Sequence, residues 1–254
     1  MTPGIKAILG LSLAVSICAM TAEPGVQEGL AKFIGAQNKI FETGKADAAL
    51  SLRSLQDGEG LYAIGPVKDL DGEITIFNSH SYITKVRGSG YTVTRSWDYD
   101  AIFLVWTHQQ KWRDVSIPET VAGYLDLQQF VKVQAASQGI DPSKPFPFLL
   151  SGAPAELKWH INVDRSEGKP ITQELFVQSK ASYVMKGEPV DVIGFYSEHH
   201  LGIFITPYPP AIRPGSGQTN ALHMHLVSRT SEAAGHIDDI TLGKGMVLRL
   251  PVIP

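Results

Sequence analysis

Several things are scarce in this sequence, and each shortage excludes a class of protein. The 254 residues include a single cysteine, Cys18, which excludes a disulfide scaffold and a zinc site built on several thiolates. The 22 Lys and Arg are matched by 25 Asp and Glu, and neither sign forms a long run. Since nucleic-acid binding needs a concentrated positive field, we expect no nucleic-acid partner.

Two catalytic signatures are also missing. The chain contains no G-x-S-x-G segment, the turn that presents the nucleophile of many serine hydrolases. It contains no G-x-G-x-x-G segment either, so a dinucleotide-binding loop is not indicated. With 43% hydrophobic residues, the composition is that of an ordinary globular protein with a core large enough to bury a site.

Residues 1–22 have the pattern of a secretory signal peptide. Lys6 supplies the positive charge, residues 7–19 are apolar, and small residues follow. The apolar stretch is shorter than the roughly 20 residues that span a bilayer, which disfavours a membrane anchor. The bulky Ile17 disfavours Cys18 as a lipoprotein cysteine. We therefore expect a secreted or periplasmic protein that has no membrane attachment after cleavage.

The rest of the chain predicts an α+β fold with few helices and with mixed and antiparallel sheets. Short β-rich runs separated by turn residues predict strands. The segment 116–139 predicts the best helix, because it has a proline near its start and a glycine at its end. The runs predicted as strands are 74–77, 82–86, 91–94, 102–106, 157–163, 174–178, 190–196, 222–228, 236–242 and 246–250.

A proline-rich connector before Phe148 predicts a division into two sheet-containing lobes. Residues 23–147 would form an N-terminal lobe with the helices, and residues 148–254 an antiparallel C-terminal lobe. The segment 197–221 is long and rich in Pro and Gly, which is typical of a binding loop.

Three histidines predict a metal site. His223 and His225 are two residues apart on a predicted strand, so both side chains point to one face of the sheet. After a short turn the chain returns with His236, whose imidazole can complete the set. Three neutral imidazoles with an open position suit a catalytic zinc ion.

The segment 69–73 (D-L-D-G-E) brings three carboxylates together before a predicted strand. Two interpretations stay open from the residues alone. The segment is a solvated turn whose Asp side chains bond their own backbone, or it aims a carboxyl group at the metal for proton transfer.

Three blocks together resemble the acetolactate decarboxylases, bacterial enzymes that convert 2-acetolactate into acetoin and CO2. The blocks are D-L-D-G-E at 69–73, I-G-F-Y at 193–196, and H-x-H at 223–225 followed by A-G-H at 234–236. The resemblance implies two sheet-based lobes with zinc near their junction. It also implies His223, His225 and His236 as zinc ligands and Glu73 as a catalytic carboxyl group.

The sequence departs from the family pattern at several positions. Gly65-Pro66 lacks the hydroxyl of the family's threonine, and the position of the substrate-side arginine is taken by His160. The family's C-terminal active-site glutamate has no counterpart. The candidates for the cation that orients the substrate carboxylate are therefore His160 in its protonated form, Arg165, and Arg213 in the long loop.

The resemblance thus implies a zinc-dependent carboxy-lyase of acetoin biosynthesis that acts on a small-molecule substrate. Zinc would stabilise the enediolate left by loss of CO2, and Glu73 would protonate it. Two alternatives remain: an exported zinc lyase, isomerase or hydrolase for another small oxo or hydroxy acid, and a non-catalytic protein that binds zinc or a ligand. A homodimer is compatible with the sequence.

Overall fold

The computed structural model describes Met1 and residues 28–200, 202–203 and 219–253. The predicted signal peptide, apart from Met1, lies outside these residues, as do Arg213 and most of the loop at 197–221. Within the described part of the chain, no helix has both the length and the apolar character needed to cross a membrane.

Strands dominate the described part of the chain, where three α-helices connect them. The helices are α1 (Gln37–Thr43), α2 (Tyr124–Ser137) and α3 (Gln173–Gln178). The first eight strands are β1 (Lys32–Ile34), β2 (Leu50–Ser51), β3 (Leu61–Pro66), β4 (Glu73–Phe77), β5 (His80–Arg87), β6 (Gly90–Thr94), β7 (Asp100–Ala101) and β8 (Leu104–His108). The others are β9 (Trp112–Ser116), β10 (Phe146–Gly152), β11 (Glu156–Asn162), β12 (Lys180–Met185), β13 (Val190–Tyr196), β14 (Leu222–Ser228), β15 (Ala234–Thr241) and β16 (Val247–Pro251).

The strands form two large sheets and one small one. A six-stranded sheet has the order β1-β8-β3-β4-β5-β6, and an eight-stranded sheet has the order β12-β11-β15-β14-β13-β10-β16-β9. β2 and β7 form a separate pair. Every pairing between the described strands is antiparallel, so this part of the chain contains none of the parallel pairs expected for a mixed sheet. The fold is α+β, as the sequence predicts.

Both faces of the eight-stranded sheet are covered. On one face, Leu127 and Val131 of α2 belong to a core cluster with apolar residues of β14 such as Met224. On the other, Ile193 of β13 belongs to a cluster with Ile64 of β3. Because successive side chains of a strand point to opposite faces, a strand covered on both sides is buried nearly throughout, as β10, β13 and β14 are.

Strand β4 of the six-stranded sheet lies against β14 and β15 of the eight-stranded sheet. Its residues alternate in the expected way. Ile74 and Ile76 join the core cluster on the outer side of the six-stranded sheet, while Glu73 and Thr75 face the larger sheet. This arrangement places a carboxyl and a hydroxyl group against the histidine-bearing strands.

The helix predicted at 116–139 is shorter than expected. Its first residue, Ser116, ends β9 and pairs with Val247 of β16, residues 117–123 are not helical, and the helix begins only at Tyr124. The carboxylate of Asp126 accepts hydrogen bonds from the backbone N–H groups of Ala122 and Gly123. This cap satisfies donors that have no partner inside the helix, and it explains the late start.

The strand predicted at 174–178 is wrong, because these residues belong to helix α3. Thr172 caps this helix, and its hydroxyl accepts from the backbone N–H of Leu175 at 3.2 Å. By contrast, the strands predicted at 190–196 and 222–228 are confirmed with the same bounds.

Two elements that precede Phe148 belong to the larger sheet and its core. β9 is an edge strand of the eight-stranded sheet, and α2 packs on that sheet. The division into lobes at 23–147 and 148–254 stays a prediction, and the chain crosses between the two large sheets before that boundary.

Candidate metal centre and active site

Adjacent strands of the larger sheet present the three predicted histidines on one face. His223 and His225 lie two residues apart on β14, and His225 is directly opposite His236 of β15. One ring nitrogen from each of the three lies within 4.8 Å of the others. All three side chains are buried. The structure thus brings together the residues that the sequence predicts as metal ligands.

Gly235 allows β15 to approach β11 closely just before His236. A Cβ atom at Gly235 would lie 2.9 Å from the carbonyl oxygen of His160 and 2.9 Å from the ring of Trp159. Such contacts are too short for any residue with a side chain, so the A-G-H sequence suits the closeness of the two strands.

Hydrogen bonds fix the orientation of two of the imidazoles. The Nδ1–H of His223 donates to the carbonyl oxygen of Ile203 at 2.6 Å, which leaves a lone pair on Nε2. That Nε2 lies 3.1 Å from Nδ1 of His236. His225 donates in the same way to the hydroxyl of Thr75 at 2.9 Å. Such outer partners are typical of metal-binding histidines.

His225 provides the observation that tests whether these residues fit a metal ion. Its Nε2 is buried and has no hydrogen-bond partner in the described part of the chain. Leaving a buried polar atom unpaired costs about 1–3 kcal/mol, and a bound cation would remove this penalty. Three converging nitrogens and no thiolate form the donor set of a catalytic zinc site, so the residues fit that ion.

Burial keeps these imidazoles neutral. It lowers the pKa of His223 to about 4 and the pKa values of His225 and His236 well below the usual range. The charge of Lys180 lowers the pKa values of His223 and His236 further. Near pH 7 the histidines therefore carry free lone pairs, as metal binding requires.

Glu73 faces the histidines from β4, at the end of the D-L-D-G-E segment. Its carboxyl group is 2% exposed. One oxygen accepts from the backbone N–H of Asn162 at 3.2 Å, and the other lies 3.7 Å from Nε2 of His225. Burial raises the pKa of Glu73 well above its usual value, so this carboxyl group can hold a proton at neutral pH.

Gly72 supports the turn that delivers Glu73. Its φ of +127° favours glycine, and a Cβ there would lie 2.3 Å from the carbonyl oxygen of Thr84. Asp69 and Asp71 of the same segment form ion pairs on the surface with neighbouring basic side chains. The two aspartates thus lie at the surface, while the glutamate faces the histidines, and its role in proton transfer stays a prediction.

His160 lies beside the metal-ligand candidates and forms a pair with Asp238. Its Nδ1 donates to the Asp238 carboxylate at 2.8 Å, and its Nε2 lies 3.9 Å from Glu73. Burial, followed by the charge of Lys180, lowers the pKa of His160, although Asp238 opposes this shift. The imidazole is thus neutral near pH 7, and it does not supply the positive charge considered for it in the sequence.

A β-bulge aims Asp238 at His160. The pairing of β11 with β15 shifts between Lys158 and Trp159, and Asp238 has no direct partner on β11. Bulges of this kind re-aim a side chain next to a functional site.

A cavity of about 30 Å³ lies between the two large sheets and is lined by most of these groups, although not by His225 or Asp238. Glu73 and Pro66 belong to the six-stranded sheet, and most of the other polar residues that line the cavity belong to the eight-stranded sheet. The polar lining residues of the larger sheet are His160, Asn162, Lys180, His223 and His236. Pro66 lines the wall at the position where the family resemblance implies a hydroxyl group that this chain lacks.

The remaining predicted residues lie elsewhere. Arg165 follows the end of β11, is exposed, and donates to the backbone carbonyl of Lys180 at 3.2 Å rather than lining the cavity. Arg213 lies outside the described residues. Sequence reasoning missed Asn162, Lys180 and Asp238. Alternation with His160 and His236 could have indicated Asn162 and Asp238, whereas Lys180 becomes visible only once β11 and β12 are paired.

Comparison with known proteins gives matches in structure but none in sequence. No protein-family model matches the chain, and no curated protein is significantly similar to it. Two solved structures are acetolactate decarboxylases, one from Bacillus subtilis strain 168 and one from Bacillus subtilis subspecies spizizenii. Both are 14% identical to this chain and cover 87% of it, with TM-scores of 0.64 and 0.65. The matches cover 84% and 86% of those two chains.

A third structure is a Staphylococcus aureus protein of unknown function that is similar to α-acetolactate decarboxylase. It is 10% identical, with a TM-score of 0.63, and the match covers 87% of this chain and 84% of that one. At such identities the likeness concerns the fold. The chain has the fold of the α-acetolactate decarboxylases, as the resemblance of its sequence blocks implies.

Proposed function

We propose that this protein is a zinc-dependent decarboxylase that converts 2-acetolactate into acetoin and CO2, as a divergent member of the acetolactate decarboxylase family. One observation carries the proposal. Three inward-facing neutral histidines, one with an unpaired buried nitrogen, lie against a buried carboxyl group that can hold a proton. The fold and the sequence blocks support the same activity.

His223, His225 and His236 would hold the zinc ion. When bound, it supplies a Lewis acid for the negative charge that develops on the substrate oxygens. The buried walls around the histidines keep this part of the site dry, which strengthens electrostatic interactions within it.

Glu73 is the proton donor in this proposal. Loss of CO2 breaks a C–C bond, and its electron pair becomes part of an enediolate. The carboxyl group of Glu73 then delivers a proton to the carbon that lost CO2, and acetoin is formed. The backbone N–H of Asn162 holds one carboxyl oxygen in place, so the proton reaches one face of the planar intermediate.

His160 and Asp238 assist from the other side of Glu73. Asp238 fixes the Nδ1–H form of His160, so the lone pair on Nε2 points toward the Glu73 carboxyl group. We assign this pair the task of keeping the carboxyl group oriented and of exchanging its proton between turnovers.

One observation favours a second candidate function. Pro66 lines the cavity in place of a hydroxyl, and Arg165 lies outside it, so the contacts to the substrate differ from those that the family resemblance implies. This difference supports an exported zinc lyase, isomerase or hydrolase acting on another small oxo or hydroxy acid. The pattern of residues 1–22 supports export, to the medium or the periplasm, under either function.

The test is acetoin formation from racemic 2-acetolactate by the purified protein, zinc-loaded and after chelation. We expect acetoin well above the spontaneous rate, loss of activity on chelation and recovery with zinc. A histidine variant outside the site serves as the control for substitutions of the metal-ligand candidates. His80 is exposed, so His80→Ala should leave both zinc content and turnover unchanged. A folded, zinc-loaded protein that forms no acetoin would refute the decarboxylase proposal and favour the second candidate.

A further inference from the structure

The proposed substrate carries a carboxylate, and the cavity needs a cation to receive it. Among the described residues that line the cavity, Lys180 is the one lysine or arginine. It begins β12, directly opposite Asn162 of β11, so both side chains lie on the same face as His160. We infer that Lys180 binds the substrate carboxylate and that Asn162 binds the neighbouring hydroxyl group. This inference rests on the proposed function, because it specifies how the same site recognises its substrate.

The surroundings of Lys180 hold its ammonium group at the cavity without occupying its donors. The side chain is 22% exposed, and Nζ lies 3.8 Å from a carboxylate oxygen of Asp238. This distance is too long for a hydrogen bond. The same carboxylate accepts at 2.8 Å from His160 instead. The ammonium group also lies over the ring of Phe176, whose centroid is 5.9 Å from Nζ.

Lys180 lines the same cavity as Glu73, His160, His223 and His236. A substrate carboxylate that enters the cavity would therefore meet a positive charge beside the predicted metal ligands.

Asn162 supplies an independent sign that a polar ligand binds here. The residue is 5% exposed and lines the cavity, yet its side-chain Oδ1 has no hydrogen-bond partner among the described residues. Buried amide oxygens are nearly always paired, so this one is expected to meet a donor from a ligand. The hydroxyl group of a 2-hydroxy acid is such a donor, and it is attached next to the carboxylate, as Asn162 is placed next to Lys180.

The experiment compares two ligands of the same shape, one anionic and one neutral. 2-Hydroxyisobutyrate has the hydroxyl and the carboxylate but no ketone, so it does not undergo the proposed reaction, and 2-hydroxyisobutyramide lacks the negative charge. Their binding to the zinc-loaded protein is measured by calorimetry for wild type, Lys180→Met, Lys180→Arg and Asn162→Ala. Lys186→Met is the matched control, because Lys186 follows the far end of β12 and is 68% exposed.

We expect Lys180→Met to weaken binding of the acid by about tenfold to a hundredfold, the range for a hydrogen bond to a charged group, and to leave the amide unaffected. Lys180→Arg and Lys186→Met should retain the acid, and Asn162→Ala should weaken both ligands. A role of Lys180 in folding alone predicts equal losses for acid and amide, and that result would overturn the inference. A wild-type protein that does not prefer the acid would also overturn it. Lys180→Gln replaces the methionine variant if the latter does not fold.

The acetoin assay separates this inference from the proposed function. A wild-type protein that forms no acetoin but binds the acid through Lys180 would refute the decarboxylase and keep the carboxylate site. A wild-type protein that forms acetoin, with KM unchanged in Lys180→Met, would keep the decarboxylase and refute the role of Lys180.

Discussion

The hydrogen bond between Thr75 and His225 offers the sharpest test of the metal centre, because it can be removed without changing shape. Thr75→Val replaces a hydroxyl by a methyl group of similar size. The Nδ1–H of His225 then loses the acceptor 2.9 Å away that holds the ring with Nε2 turned inward. The variant leaves His223, His225 and His236 in place, so any change in zinc affinity reports on orientation rather than on the number of ligands.

The expected loss of zinc affinity in Thr75→Val depends on the hydrogen-bond partners of His225 Nδ1. Loss of an outer partner of a metal-binding histidine typically lowers metal affinity by about 10–100-fold. The carbonyl of Ile74 also accepts from this ring and remains in the variant. We therefore expect the lower end, about a tenfold loss of zinc affinity, with about 1 kcal/mol lost from the free energy of unfolding of the metal-free protein. Competition with a chromophoric chelator and urea unfolding measure the two quantities.

Thr84 provides the matched control for this substitution. It lies on β5 directly opposite Glu73, is fully buried, and its hydroxyl has no hydrogen-bond partner in the described part of the chain. Thr84→Val should leave zinc affinity unchanged and stability equal or higher, since it removes an unpaired polar group. Wild-type zinc affinity in Thr75→Val, or an equal loss in both variants, would refute the assignment of His225 as an oriented ligand.

Three further predictions concern the same site. His225→Ala should release most of the zinc, measured by elemental analysis after dialysis, and a fully loaded variant would exclude the site as described. Glu73→Gln should keep zinc but lower kcat for acetoin formation by about 10²–10⁴-fold, and unchanged kinetics would exclude Glu73 as the proton donor. Because burial lowers the pKa of His223 to about 4, the unfolded state binds more protons below pH 6.5, so this residue stabilises the metal-free protein above that pH. Its share, lost as the pH falls, amounts to about 2 kcal/mol between pH 7 and pH 5. The raised pKa of Glu73 makes its contribution to stability change with pH in the opposite sense, so the effect of His223 must be isolated with a variant. We expect His223→Gln to lose about 2 kcal/mol less of its free energy of unfolding than wild type between pH 7 and pH 5, as measured by urea unfolding.

The metal-ligand candidates could be predicted from the sequence because local rules place them. Side chains two apart on a strand share a face, and a short turn returns the chain to the neighbouring strand. These two rules are enough to bring His223, His225 and His236 together, as the structure does. The same alternation places Glu73 and Thr75 on the inner face of β4, although which sheet they would face depends on packing between distant strands.

The parts that sequence reasoning missed depend on nonlocal contacts or on local caps. The segment 174–178 reads as a strand by composition, but the cap at Thr172 and its connection to β12 make it a helix. The helix expected from residue 116 starts late because Ser116 pairs with β16 and the residues just before the helix, Ala122 and Gly123, bond to the end of β15 and to Leu242, far away in the sequence. Neither contact leaves a periodic signal in the segment itself, which is why the bounds differ.

The position of the positive charge shows most clearly why similarity of sequence did not find the whole site. The family resemblance directs the search for a cation to position 160 on β11, where this chain has a histidine that burial keeps neutral. The proposed substrate carboxylate needs a positive charge at one point of the cavity, and side chains of both β11 and β12 can reach that point. Lys180 on β12 lies opposite Asn162, two residues beyond His160, and the bulged Asp238 contacts both His160 and Lys180. In the proposed site, a cation on the neighbouring strand would thus take the place of the arginine that the sequence resemblance implies on β11. An alignment compares positions along one strand, so it records such a change as the loss of a residue, although the charge is still present in the cavity.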